Sequence, residues 1–548
     1  MGPTTTSQGR HLENYWDRHA TPVLTQMTAI QKWMVVWALI IAASVEIGLR
    51  FGVNIILVDM EGNVAANQDD MSWVVIVYGV GFIFGLATSA GLARFLGVRN
   101  HLGFMLLLFG AGTLGCFLSH ELWELLTARA IQGLAGGTFI VRGQVLIYSM
   151  FQGRERSFHN LTFGVVTNLF RAMIPLTMAA VTDTSSWNYA FLLAVPFIVL
   201  ALAMVWMFLP RSEGELKQEP SVPSLLLLLT GLSTLQIGLN RGERNLWFES
   251  PHVLILFLTA AICLILWTWW DGRHDNPNPL LHLRLLVSLP ALTASFAEAL
   301  LVGAALSTGL YVLPQYLRSV QTYSATQTGW FFFVDGLGTV ASLLISSRFL
   351  MSRIGPRGVL AGGFLTFSLA ALGYVYDLTP TTPGWVLASL FALHGVSLGW
   401  LFTGLTNLAM SGVAPEYISE TNAAFRLIRQ IGSNLGVTGA LVLLDRQMTL
   451  HSSRLLDVAN RLDPRAHAAV GHYAGIVAKR AGTAALPMSG GYALFRNAVT
   501  QQARLLAYVD IFWCLAVMGA VGFVFVLVTR ENVRATICAL RITDLDCQ

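Results

Sequence analysis

Apolar stretches of about twenty residues recur along this chain, separated by short polar breaks. At a rise of 1.5 Å per residue, about twenty residues cross a hydrocarbon core roughly 30 Å thick. Fourteen such stretches are found, near 34–57, 72–93, 102–119, 125–149, 160–182, 188–209, 222–240, 252–270, 289–313, 325–347, 358–377, 385–412, 423–444 and 506–529. The pattern predicts an all-α polytopic membrane protein, with the lipid bilayer as its first partner. An even number of spans puts both termini on one side. The first span is expected to remain in the chain: it is too long for a signal segment, lacks a small-residue cleavage site and follows a polar tail.

Loop charges orient the spans. One set of loops holds Arg94, Arg99, Arg154, Arg156, Arg211, Lys217, Arg273, Arg284, Arg348, Arg353 and Arg357. The opposite set holds Asp59, Glu61, Asp69, Asp70, Glu121, Asp183 and Asp377, with Arg241, Arg244 and Arg318 as basic exceptions. Basic loops face the cytoplasm, so both termini are expected there. Segment 445–505 is basic yet falls outside, at the length where the charge rule loses force. Its "SSRLLDVANRL" and "AHAAVGHYAGIVAKRA" predict short amphipathic helices. The turns "GLARFLGVR" (91–99) and "LMSRIGPR" (350–357) echo one another, as expected of two similar halves. The expected organisation is a cytoplasmic tail 1–33, a six-helix bundle 34–210 and a linker 211–285 with two extra spans. A second six-helix bundle, 286–530, includes the outer excursion 445–505, and a cytoplasmic tail 531–548 follows.

Composition agrees and excludes other classes. Of 548 residues, 54% are hydrophobic and only 12% are charged, where a soluble protein carries about a quarter. The net charge of +4 is modest and spread over loops, so no nucleic-acid partner is expected. Cys116, Cys263, Cys514, Cys538 and Cys547 form no CxxC or metal spacing. No HExxH or phosphate-loop motif occurs, so no enzyme and no cofactor is expected, and an ion gradient is the expected energy source. His101 and His394 stand alone and are read as structural.

Several motifs exceed periodicity. "LTARAIQGLAGG" carries Arg129, Gln132, Gly133, Gly136 and Gly137, giving a helix a bare face for close packing. "SSWNYAFLLAVP", "TLQIGLNRGERNLWFES", "PQYLRSVQTYSATQTG" and "NAAFRLIRQIGSNLG" follow. Together these resemble the 14-span drug:proton antiporter family of the major facilitator superfamily (EmrB/QacA-like), its EmrB-like members in particular, over about residues 34–530. "RAIQGLAGG" is similar to that family's RxxQGxxxG, and "LQIGLNRGERNLWF" to its LQxxLDrGxxxdWF. The resemblance implies export of a drug-like amphipathic compound by proton antiport and alternating access across the inner membrane. It also implies a periplasmic adaptor of the membrane-fusion class, leading to an outer-membrane channel.

The departures from the family pattern fall on its coupling residues. Arg50, in "LRFGVNIILVD", stands where the first-span acid of LDxTIVNVALP belongs. "AGLARFLGVR" keeps Gly97 and Arg99 of the loop motif but has Arg94 in place of its Asp. "RAMIPLTMAA" keeps Pro175 of the fifth-span motif without its glycines, and Asn240 replaces the Asp of LDRG.

Ionisable residues inside spans cost roughly 2.5–3.5 kcal/mol each on insertion scales and are functional candidates by default. Glu46 and Arg50 share a helix face at i, i+4. One reading is a salt bridge that allows both to be buried; the other makes Glu46 the proton carrier. Asp335 and Glu298 are the alternative proton sites. Arg50, Arg142 and Arg171 would make the first half cationic within, which suits an amphipathic organic anion. Equally, these arginines would hold helices together by pairing with Glu46, Glu298 and Asp335. Asn54 is a further cavity candidate, Phe170 and Trp400 are read by default as core packing and otherwise as cavity wall, and Arg426 and Arg429 are read as snorkelling at a helix end. The alternative to antiport is a degenerate relative without proton coupling, either a facilitator or a membrane binding partner.

Overall fold

The computed structural model describes residues 27–61, 68–211, 221–242, 245–273, 290–410, 418–458, 464–481 and 487–529. Most of the two expected tails lie outside them, as do Lys217, Arg244, Arg284, Cys538, Cys547 and the Arg94 side chain. All the long elements described are helices: α1 Ala29–Glu61, α2 Gln68–Leu96, α3 Val98–Leu118, α4 Leu122–Met150 and α5 Gly153–Thr184. Then come α6 Trp187–Phe208, α7 Val222–Arg241, α8 Pro251–Asp271, α9 Pro290–Ser319 and α10 Ala325–Ile345. The last are α11 Met351–Asp377, α12 Gly384–Met410, α13 Ile418–Val458, α14 Pro464–Ala481 and α15 Met488–Val528. All but α14 coincide with the apolar stretches predicted as spans. A π-helical turn, Ser346–Leu350, runs α10 into α11. The continuous piece Ala325–Asp377 is 53 residues long, about 80 Å if straight, so it must cross the membrane twice.

The expected ends of the last two spans are corrected. α13 runs to Val458 and α15 starts at Met488, far past the apolar stretches 423–444 and 506–529. Hydropathy marks where lipid ends, not where a helix ends. The described parts of segment 445–505 are therefore two helical extensions plus α14, which packs on α15 beside Gly491. His451 Nε2 lies 2.7 Å from Asp510 Oδ2 and ties the extension of α13 to α15.

Apolar packing gathers the helices into two masses. One core draws on buried residues from Met27 to Leu209. The other draws on Ala299 to Val526, joined by Ile55 and Ala179 of the first mass. α7 and α8 pack beside them through Leu228, Leu232 and Trp267, against Ile83 of α2 and Leu427 of α13.

The two echoing turns have matching geometry. Gly97 and Gly355 take φ of 77° and 70°, a left-handed region open to glycine at little cost. Two residues on, Arg99 donates to the Trp206 carbonyl at 2.6 Å. Arg357 donates to the Val526 carbonyl at 2.6 Å. Each arginine thus fastens the turn after its half's second helix to the end of that half's last helix.

The halves meet most closely through α5 and α10. A Cβ on Gly329 would lie 2.9 Å from Leu176 Cα, and one on Gly336 would meet the Ala172 side chain and lie 3.1 Å from its Cα. Bare glycine faces let the two backbones touch. At the acidic end, Arg318 donates to both oxygens of Asp59 at 2.8 and 2.9 Å. Asp183 accepts from the Thr326 backbone N–H at 2.8 Å. Arg318, a basic exception in the charge pattern, is thus answered across the interface.

Replacing Gly329 by valine forces α5 from α10, where backbone cannot yield, at a cost of about 1–3 kcal/mol. The expected result is a lower melting temperature and faster maleimide labelling of a cysteine placed at Thr326. Unchanged labelling would show that this contact does not hold the acidic end shut.

Candidate functional site

Between the halves lies a cavity of about 1140 Å³. Its lining runs from Asn54 and Tyr311 in the interior to Arg154, Phe158 and Arg348 at the basic end. The acidic-end contacts Asp59–Arg318 and Asp183–Thr326 are not part of it. The site is therefore open toward the basic loops and closed toward the acidic ones.

Its electrostatics are one-sided. Arg50, Arg129 and Arg171 come from the first half, Arg426 and Arg429 from α13, and Arg154, Arg156 and Arg348 from the mouth. Among the described residues that line it there is no Asp, Glu or Lys. Amides add neutral polarity: Asn54, Gln144, Asn168, Gln236, Gln430 and Asn434. Apolar wall comes from Phe51, Phe82, Leu306, Leu310 and Phe402.

The acids stand one layer behind. Glu46, wholly buried on α1, accepts from the Tyr78 hydroxyl at 2.7 Å, with Arg50 Nε 3.4 Å from the same oxygen. Its other oxygen is buried without a hydrogen-bond partner among the described residues. Gly136 makes the room: a Cβ there would lie 2.8 Å from Glu46 Cγ. The Arg50 guanidinium faces the rings of Phe82 at 4.6 Å and Phe51 at 5.3 Å, a cation–π environment that softens desolvation.

A second buried pair joins the halves. Arg171 Nη2 donates to Asp335 Oδ2 at 3.2 Å and to Thr339 Oγ1 at 3.0 Å. Its Nε donates to Asn168 at 3.2 Å. His394 Nδ1 is 2.7 Å from Asp335 Oδ1, so this histidine does not stand alone; α12 packs on α10 and brings the two together. Pro175 lacks an N–H and leaves the Arg171 carbonyl without its helical donor.

The other expected residues are placed differently. Arg142 is buried and donates to Ser89 Oγ at 2.9 Å and to the Ser89 carbonyl at 2.6 Å, off the lining. Phe170 packs edge-on against Phe197, and Trp400 lies over Gly362; neither lines the cavity. Glu298 is also off the lining, 3.5 Å from Thr529 Oγ1 near the basic end. In the "RAIQGLAGG" stretch, Arg129 donates to Gln132 at 2.5 Å and faces the Tyr78 ring at 4.1 Å. Gly133 and Gly137 admit the backbone carbonyls of Tyr78 and Phe82.

Snorkelling is overturned for Arg426 and Arg429. The face of α13 next to α9 turns inward, with Gly303 against the Arg429 carbonyl, so these side chains reach the cavity rather than the lipid boundary. Arg426 donates to Gln144 of the opposite half at 2.5 Å, and Arg429 faces Phe402 at 5.1 Å. Sequence reasoning also passed over Gln236 and Asn240 as lining. They arrive because α7 packs against α2, where Gln236 reaches the Ile76 carbonyl at 3.5 Å.

A model of the Major Facilitator Superfamily matches residues 39–437. The multidrug export protein EmrB of Escherichia coli (strain K12) is 24% identical over 480 residues, 86% of this chain and 91% of that protein. The probable multidrug resistance protein EmrY of the same organism is 24% identical over 499 residues, 90% and 94% of the two chains. Among solved structures, a bacterial homolog of the human lysosomal transporter Spinster, inward-facing and unoccupied, shares 13% identity at a TM-score of 0.56. It covers 92% of this chain and 99% of its own. The human organic anion transporter MFSD10 (TETRAN) shares 14% identity at a TM-score of 0.53, covering 89% and 99%. At these identities the structural likeness shows the fold.

Removing one partner of a buried pair strands the other at roughly 3–5 kcal/mol. Asp335→Ala is therefore expected to lower stability far more than the double variant Arg171→Met/Asp335→Leu. Thermal melting in detergent checks this; equal losses would mean that the two charges do not depend on one another.

Proposed function

The chain belongs to the major facilitator superfamily, and from that premise we propose that it exports an amphipathic organic anion from the cytoplasm by alternating access. One observation carries the substrate class: eight arginines on the cavity lining and no acidic side chain among the described residues there. Arginine holds carboxylate, sulfonate or phosphate groups through paired, charge-assisted hydrogen bonds. The aromatic and leucine wall takes the apolar body. The multidrug-export relatives support the direction of transport. Basic loops at the cavity's mouth support an inward-facing state in the inner membrane, with both termini cytoplasmic.

Proton antiport is the coupling that the resemblance implies, with Glu46 and Asp335 as its acids because each lies one arginine from the cavity. Glu298 is the remoter candidate. A facilitator without proton coupling is the second reading. It is favoured by Arg50 at the usual position of the first-span acid. Two six-helix halves, 34–210 and 286–530, would rock about the cavity, with 211–285 between them. The excursion 445–505, with amphipathic α14, is the proposed face for a periplasmic adaptor that leads on to an outer-membrane channel.

The double variant Arg426→Ala/Arg429→Ala is expected to weaken binding of an amphipathic sulfonate at least about tenfold, since hydrogen bonds to charged groups contribute about 1.5–3 kcal/mol. Binding of a lipophilic cation is expected to hold or improve. Radioligand binding to purified protein decides: equal loss for both probes would remove the anion reading.

A further inference from the structure

We propose that the substrate enters the cavity sideways, from the cytoplasmic leaflet of the bilayer, through a cleft between α5 and α10. The substrate is accordingly an amphiphile with an anionic head and an apolar chain. The inference rests on the anionic-substrate reading above and adds where that substrate comes from.

The cleft follows from one helix face on each side. Leu176 and Ala172 of α5 meet Gly329 and Gly336 of α10. Residues seven apart return to nearly the same face of a helix, two turns on. The next rung toward the basic end therefore sets Val165 opposite Leu343, and both line the cavity. One rung further, Phe158 lines it too and is exposed. A Cβ on Gly164, beside Val165, would meet nothing within 4 Å. The two helices thus touch through backbone at the acidic end and part toward the basic end. Arg171 sits at the fork, bonded to Asp335 and Thr339. Leu343, Leu344 and Ile345 are successive, and all three line the cavity. At about 100° per residue they cover roughly 200° of the helix, so the void continues around α10 to its outer flank.

The opposite flank is shut. On α2 and α13 the lining residues keep within about 160° of arc, the inner face alone. Behind them α7 packs against both helices, with Leu228 and Leu232 beside Ile83 of α2 and Leu427 of α13. Arg426 of α13 donates to Gln144 of α4 at 2.5 Å and straps the halves together on that side. The two linking helices therefore seal one seam between the halves, while the α5–α10 seam is left to open.

The chemistry of the cleft matches an amphiphile lying in that leaflet. The basic end is cytoplasmic in the orientation proposed above. Leu161 and Val165 lie roughly 8 and 14 Å deeper than Arg156 along α5, within the ~15 Å of hydrocarbon in one leaflet. Across the cleft Leu344, Ile345 and Phe349 are exposed and apolar. Arg154, Arg156 and Arg348 line the mouth at the level of the lipid head groups. A chain in the leaflet fits the apolar rungs, and its anionic head meets these arginines first. Arg171 and Arg50 then stand further in on the same lining. Charge rises from rim to interior with no acidic side chain among the described lining residues to stop the head.

A route changes how fast a ligand binds, not how tightly it is held at equilibrium. The test uses purified full-length protein in lipid nanodiscs, with its Cys263, Cys514, Cys538 and Cys547 replaced by serine and carrying Gly164→Cys. Once folded, the new thiol is modified with benzyl methanethiosulfonate, which places a ring in the cleft. Stopped-flow fluorescence follows two anionic probes: dansylaminoundecanoic acid, and dimethylaminonaphthalene sulfonic acid, a closely related fluorophore without the chain. Modification is expected to slow association and dissociation of the chain-bearing probe at least about fivefold, with its Kd held within about twofold. The small sulfonate enters by the aqueous mouth, and its rates are expected to hold. The same adduct at Ile262→Cys, on the lipid-exposed face of α8, is expected to change neither probe. Equal slowing of both probes, no slowing of the chain-bearing one, or slowing by the Ile262 adduct overturns the lateral route and leaves the anion reading standing. Absence of binding of both anionic probes, with tetraphenylphosphonium still bound, removes the anion reading and this inference with it.

Discussion

A charge held away from water must be answered by another polar group or not be held at all. The interior of this transporter is arranged around that requirement. Two of its buried carboxylates, Glu46 and Asp335, are each answered by an arginine that itself reaches water through the cavity. The acid is hidden and the base is presented, so the cavity sees only positive charge. Tyr78, Gly136 and His394 then follow as consequences: a hydroxyl to share the first carboxylate, a bare backbone to admit it, and an imidazole to share the second.

The two pairs do different work because of where their helices lie. Glu46 and Arg50 sit one turn apart on α1, so their pairing is local to one half. Arg171 and Asp335 belong to different halves, so theirs is an interface contact, made beside the glycines that let α5 and α10 touch. A change of charge at the first pair would alter what the cavity offers, and one at the second would alter the contact between the halves. Both pairs draw on arginines that line one cavity.

Much of this was legible in the chain itself. Twenty-residue apolar stretches gave the helices, because hydrocarbon tolerates little else. The i, i+4 spacing of Glu46 and Arg50 gave their pair. What periodicity could not give was contact between helices far apart in sequence. His394 read as solitary because its partner lies 59 residues away on α10. Arg426 and Arg429 read as snorkelling because their depth was visible but their facing was not. Arg142 was expected in the cavity for the same reason, and Ser89 holds it elsewhere. The extensions of α13 and α15 were missed because polarity marks the membrane boundary and not the end of a helix.

The paired turns at Gly97 and Gly355 carry a further meaning. In each half one arginine ties the turn after the second helix to the end of the last, like a stitch that closes a hoop. A closed hoop resists shear within itself. Force applied at the cavity then passes to the seam between the hoops, which is held by a few ionic contacts and a strip of bare backbone. The molecule is stiff where its hydrogen bonds loop back within one half and compliant where they cross to the other. Any motion of one half against the other would therefore fall at the boundary between two stitched rings, not within one segment.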